Sequence, residues 1–248
     1  MRRIFIKALL EDRITIHGAD AHHLAHVMRS KLGDKIVVAD DEGKSGLYEI
    51  AGFTSDTVEM SLIEEINEQT ESPVEIVLAQ CLPKGDKLEL IVQKATELGV
   101  NRIVPLTSNN CVVKYDAKKS KIRQEKWQKI ANEAGKQCGR SLLPVVEEIQ
   151  PLESWLTAAG QDEDMAVAMC YENEEQVGIK AFLQGKAAKR FAVVIGPEGG
   201  FSLNEAQKAK ELGIASVSLG PRILRAETAA IGAVTVVQYE KGDLGGRR

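Results

Sequence analysis

Two stretches carry residues whose types and spacing could do chemistry. The first, Ile195-Gly196-Pro197-Glu198-Gly199-Gly200-Phe201-Ser202, follows the apolar run Phe191–Ile195 and precedes a helical pattern. Its backbone groups therefore lie at a strand-to-helix turn, where open α/β sheets bind ligands. No Lys-Ser or Lys-Thr pair closes it as a P-loop, and it lacks the GxGxxG spacing of a dinucleotide turn. An acid at Glu198 would also repel phosphate. The second, Leu219-Gly220-Pro221-Arg222-Ile223-Leu224-Arg225-Ala226-Glu227-Thr228-Ala229-Ala230, follows the next strand. Gly and Pro are ordinary turn punctuation, but two such loops at adjacent strand ends, with charged residues among apolar ones, can form one pocket. The candidate ligand-binding residues are Ile195, Gly196, Pro197, Glu198 and Gly199 from the first loop. The second contributes Leu219, Gly220, Ile223, Leu224, Arg225, Ala226, Glu227 and Thr228.

The elements that must position these loops read as a parallel sheet. Apolar runs at Ile76–Gln80, Ile103–Leu106, Met165–Cys170, Phe191–Ile195 and Val217–Leu219 alternate with helical segments. Leu88, Ile91, Ala95 and Leu98 make one apolar stripe, with Asp86 and Glu89 as a start signal and Gly99 as a stop. A later helix opens on the capping-box pair Ser202 and Glu205, is expected to bury Leu203, Ala206 and Ala209, and ends before Gly213. Nearer the N-terminus, short alternating runs at Lys35–Ala39 and Leu47–Phe53, with a helix over Asp20–Leu32, read as a small, mostly β domain. Residues 59–75 hold six glutamates and no basic residue. This stretch is taken as the boundary between a domain over 1–70 and an α/β domain over 71–248.

The chain has 248 residues, 44% hydrophobic and 27% charged, enough for a substantial core. No apolar run approaches the roughly 20 residues of a membrane span, and Lys7 interrupts the only stretch that imitates a signal peptide. A soluble, cytoplasmic protein with no membrane partner is expected. Cys81, Cys111, Cys138 and Cys170 are scattered singly, which argues against zinc and disulfides. His22 and His26 have the i,i+4 spacing of a metal pair, but no HExxH pattern is present, and an ordinary helix face is the better explanation. No metal is expected.

A net charge of −4 hides a basic segment, since residues 114–140 carry nine positive charges against three negative. Within it Lys129, Lys136 and Arg140 recur at i, i+7 and i+11, opposite an apolar face of Trp127, Ile130, Ala134 and Cys138. Such a run is often only a solvated face. With Arg2, Arg3, Arg13 and Arg29 of the N-terminal domain it predicts a phosphate-contacting surface.

These motifs resemble the RsmE proteins, a family of the SPOUT class of methyltransferases. The two Gly-Pro loops are similar to that family's cofactor loops almost residue for residue. The likeness extends to His22-His23-Leu24 through Arg29 and Gly33-Asp34, to Lys84-Gly85-Asp86-Lys87 through Glu97-Leu98-Gly99, and to Trp127 through Arg140, with a mild departure at Gly135 and Cys138. The resemblance implies a PUA-like β-barrel at the N-terminus, an α/β domain with a deep trefoil knot at the C-terminus, and a homodimer. It also implies S-adenosylmethionine as cofactor and N3 of a uridine in small-subunit ribosomal RNA as the methyl acceptor, the RNA being within the small ribosomal subunit.

That imide nitrogen must lose its proton, and the resulting charge spreads onto the uracil oxygens. Arg225 is the candidate catalytic residue for stabilising it, the alternatives being a pair with Glu227 or a contact to RNA phosphate. No general base is visible. Two other classes stay open: an RNA-binding module without catalysis, and an α/β enzyme acting on another small molecule.

Overall fold

A computed structural model describes residues 3–40, 42–66 and 70–246. The chain folds as two compact units, one formed by 1–71 with 135–143 and the other by 72–134 with 144–248. The expected boundary at residue 70 lies beside Glu71, where the first stretch of this unit ends. It misses the later segment that the same unit takes in.

In the first unit, strands β1 (Arg3–Phe5), β2 (Arg13–His17), β3 (Lys35–Ala39), β4 (Ser45–Phe53) and β5 (Thr57–Ile66) form one sheet in the order β1-β3-β4-β5-β2. β2 shows why these residues make a strand: Ile14 and Ile16 face inward opposite Met60 and Val58, while Arg13, Thr15 and His17 face water. Register shifts between β4 and β5 bend the ladder and curl the sheet around Leu24, Ile36, Tyr48 and Met60. The helix expected over 20–32 is shorter. It comprises α1 (Gly18–His22) and a π-helical turn over His23–Val27, and Arg29 then takes a left-handed backbone with φ 49°. Leu32 lies beyond this break and is exposed.

The second unit holds the parallel sheet. Its strands are β6 (Glu75–Cys81), β7 (Arg102–Thr107), β8 (Val145–Val146), β9 (Gln150–Pro151), β10 (Met165–Cys170), β11 (Arg190–Ile195) and β12 (Ala215–Val217). They run β12-β10-β11-β6-β7-β8, with β9 also on β7. β11 lies between β10 and β6, and Phe191 through Ile195 are each at most 2% exposed. That is why it reads as an unbroken apolar run, and each such side chain contributes about 1.5–3 kcal/mol by leaving water. The last strand ends at Val217, so Leu219 belongs to the loop.

The helices are α2 (Lys87–Glu97), α3 (Ala117–Cys138), α4 (Leu152–Gly160), α5 (Ile179–Gln184), α6 (Leu203–Glu211) and α7 (Ala226–Lys241). α6 begins on a complete capping box between Ser202 and Glu205. Two local expectations fail. Asp86 makes no side-chain cap for α2, its carboxylate lying 3.6 Å from Arg123 instead. Leu203 is 77% exposed rather than buried, because it sits in the first turn of α6, ahead of the buried Ala209. Among the described residues no helix is long and apolar enough to cross a membrane.

Candidate functional site

The carboxyl ends of β6, β10, β11 and β12 all open on one edge of the sheet, where helix starts and irregular backbone leave amides and carbonyls unpaired. The two Gly-Pro loops leave from β11 and β12. Those strands are not neighbours, since β10 lies between them. The loop after β10 therefore also belongs to the site, and it ties down the start of the second Gly-Pro loop. Tyr171 N–H donates to Val217 O at 3.0 Å, Ser218 N–H to Val177 O at 2.8 Å, and Ile179 N–H to Ser218 O at 3.0 Å.

The first loop is held from below and from one side. Under it, the buried Gln80 amide donates to Cys81 O at 2.8 Å and reaches Gly196 O at 3.4 Å, while its Oε1 has no hydrogen-bond partner. Gly200 donates to Pro197 O at 3.0 Å, closing a tight turn, and has φ 64°. A Cβ there would run into the Glu172 carboxylate, so glycine is required twice over. At Gly196 a Cβ would stand 3.3 Å from the Phe201 ring, and at Gly199 it would stand 3.1 Å from Asn110 Cβ.

From the side comes the turn after β7. Asn110 Nδ2 donates to Gly199 O at 2.9 Å and Gly200 O at 3.2 Å, and Asn109 Nδ2 donates to Ser202 Oγ at 3.0 Å. Asn109 N–H also reaches Glu205 at 2.8 Å. Ser108 and Cys111 brace this turn through the 3.2 Å contact between hydroxyl and thiol. A hydrogen bond from Cys81, then those from Ser108, bring the Cys111 thiol down to about 6 against the opposing effect of burial.

Glu198 does not stand as a bare acid. Its carboxylate accepts the Lys84 N–H at 3.1 Å and the Lys87 ammonium at 2.6 Å. Burial pushes this carboxyl up, but the Lys87 and backbone hydrogen bonds outweigh it and hold it below the usual carboxylate value. The Glu198 hydrogen bond correspondingly raises Lys87. Lys87 also lies 3.6 Å from Glu227 of the second loop, longer than a hydrogen bond, and Glu227 Oε2 is buried with no donor.

Of the other residues expected here, Ile195, Pro197 and Ala226 are buried supports. Leu219 and Leu224 are half-buried, and Gly220, Thr228 and Ile223 are exposed, Ile223 at 94%. Arg225 is exposed at the N-cap of α7 and makes no ion pair among the described residues, so the alternative of a pair with Glu227 is not realised. Sequence reasoning missed Gln80, Asn109, Asn110 and Glu172. The signals available were an amide at the end of an apolar strand and an Asn-Asn turn directly after another.

The expected phosphate-contacting residues divide between the units. Arg13 and Arg29 are exposed in the first unit and Lys129 is exposed in the second, while Arg2 lies outside the described residues. Lys136 is half-buried in the first unit. Arg3 donates to Arg140 O at 2.7 Å. Arg140 is a correction. α3 ends at Cys138, so the stripe stops short of it, and its guanidinium is buried against Glu71 at 2.6 Å. It is not available to phosphate.

Residues 70–238 match the RNA methyltransferase domain family and residues 16–62 the RNA methyltransferase PUA domain. The chain is 37% identical over 249 aligned positions to ribosomal RNA small subunit methyltransferase E of Bacillus subtilis, covering 97% of each. Its fold superposes on the crystal structure of ribosomal RNA small subunit methyltransferase E from Neisseria gonorrhoeae bound to S-adenosylmethionine, with TM-score 0.87, 28% identity and 98% and 99% of the two chains covered. A methyltransferase from Legionella pneumophila, solved in complex with S-adenosylmethionine, aligns with TM-score 0.85 and 30% identity over 98% of each chain. With glycine-cradled loops at the edge of a parallel sheet and this likeness along nearly its whole length, the chain belongs to the RNA methyltransferase family of the ribosomal RNA small subunit methyltransferase E proteins.

Proposed function

We propose that this protein transfers a methyl group from S-adenosylmethionine to N3 of a uridine in small-subunit ribosomal RNA. The observation that carries the reading is the glycine-cradled first loop, with the carboxylates of Glu172 and Glu198 beside it. Glu198 and Glu227 have only Lys87 as an ion-pair partner among the described residues, and the Glu172 carboxylate lies against Gly200. Such a site repels nucleotide phosphates and suits a sulfonium cation. Leu219 and Leu224, both half-buried, offer apolar surface for an adenine. S-adenosylmethionine, when bound, supplies an electrophilic methyl group. The chain's own part is to hold the loops, exclude water and present Arg225 to the uracil oxygens as N3 loses its proton.

The first unit acts as the RNA-gripping PUA-like barrel and the second as the catalytic SPOUT domain. The deep trefoil knot belongs to the second unit, and the return of the chain from β11 across β10 to β12 supports that assignment. A homodimer is supported by α7, where Thr228, Ile231, Gly232, Thr235 and Tyr239 leave a stripe of small and apolar residues partly open. The substrate puts the protein in the cytoplasm. Among the basic residues, Lys129 is the clearest candidate for RNA phosphate in the second unit. Lys129→Ala should reduce the slope of log affinity against log salt by roughly 0.7 to 0.9, and an unchanged slope removes Lys129 from the interface.

The function is tested by incubating the protein with methyl-labelled S-adenosylmethionine and small ribosomal subunits from cells lacking this gene, then digesting the RNA to nucleosides. Label in 3-methyluridine is the expected result. Cofactor binding with no label would show the acceptor to be wrong. Absence of both would favour an RNA-binding module.

A further inference from the structure

The Lys84-Gly85-Asp86-Lys87 turn has no role in the reaction as described, yet Lys87 is the one cation among the described ion pairs that reaches both Gly-Pro loops. We infer that Lys87 is a positioning residue, which holds Glu198 and Glu227 together and so fixes the two cofactor loops in register. This rests on the functional reading above.

Lys87 is the first residue of α2, where the helix dipole is positive and a lysine is unfavourable unless carboxylates face it. The turn that delivers it leaves β6, the strand paired with β11, and so stands beside the first loop by construction. Gly85, at φ 64°, lets the chain turn tightly enough for Lys84 N–H and Lys87 Nζ to meet the same carboxylate. Of the two loops, the hydrogen bonds of Asn109 and Asn110 reach only the first, and those of the segment after β10 only the start of the second.

Glu227 depends on Lys87 more than Glu198 does. Glu198 keeps the Lys84 N–H if Lys87 is removed, whereas Glu227 Oε2 is buried without a hydrogen-bond donor and has Lys87 as its only ion-pair partner among the described residues. Without Lys87 a largely buried carboxylate loses its only ion-pair partner among the described residues, and the loops relax apart to hydrate it. Glu227 is the second residue of α7, two positions after Arg225, so that relaxation carries Arg225 with it.

The test is calorimetric titration of S-adenosylmethionine into the wild type, Lys87→Met, Lys87→Arg and the double variant Lys87→Met/Glu227→Gln, with unfolding midpoints alongside. Lys87→Met should weaken cofactor binding about tenfold or more. Lys87→Arg should recover most of the loss, and Glu227→Gln should recover part of it by removing the stranded charge. Wild-type affinity in Lys87→Met would overturn the inference. So would a loss that neither second change relieves while the unfolding midpoint falls, because that is the behaviour of a helix start rather than a bridge. A wild type that fails to bind S-adenosylmethionine would overturn the functional reading itself, and the bridge's role with it.

Discussion

Arg225→Ala should lower turnover by about 100-fold or more while leaving S-adenosylmethionine affinity nearly unchanged. The expectation follows from where the residue stands. Arg225 stands at the N-cap of α7 with its backbone in the extended region, makes no ion pair among the described residues, and lies two residues before Glu227. A guanidinium left unpaired beside an acidic site is available for charge that develops during the reaction. The uracil anion needs such a partner because its charge resides on the two ring oxygens as much as on N3. Single-turnover rates and calorimetry on the same preparations separate the outcomes. Equal losses in both would reassign Arg225 to cofactor binding, and a loss only in RNA affinity would reassign it to phosphate.

Arg140→Ala should destabilise the first unit by about 3–5 kcal/mol, a large part of a typical domain's stability. The Glu71 carboxylate accepts from the Arg140 guanidinium at 2.6 Å and from the Ser141 and Leu142 N–H groups at 3.0 Å each, and the Arg140 side chain is only 5% exposed. Removing the arginine strands a largely buried acid, whereas Arg140→Met with Glu71→Leu removes both charges and should recover most of the loss. Urea unfolding followed by a probe in the first unit reads the difference. Equal stability of the single and double variants would mean that the pair is not coupled. RNA affinity lost in proportion to unfolding would also explain why a buried arginine can imitate a phosphate contact in mutational work.

Much of the site was legible in the sequence because its signals are local. The apolar run into Gly196-Pro197, the capping box of Ser202 with Glu205 and the glycine stop at Gly213 are each decided within a few residues, and the structure has all three. What could not be read depends on who lies beside whom. Sheet order is set by long-range pairing, so nothing near Gly220 announces that β10 separates the two loops. Asn109 and Asn110 look like turn residues until the turn after β7 is brought against Gly199. Arg140 looks like the end of a basic stripe because helical spacing was extended two residues past where α3 stops. Leu203 satisfies the apolar period of its helix but sits in the first turn, ahead of the point where the sheet covers it.

The first unit is discontinuous, completed by residues 135–143 after more than sixty intervening residues of the second. During synthesis, therefore, the segment carrying Arg140 emerges well after the N-terminal sheet, and until then Glu71 has no Arg140 guanidinium to meet. At about 5–20 residues per second that delay lasts several seconds, long compared with the folding of a small β domain. The first unit thus becomes complete in sequence only after residues 72–134 of the second have been made.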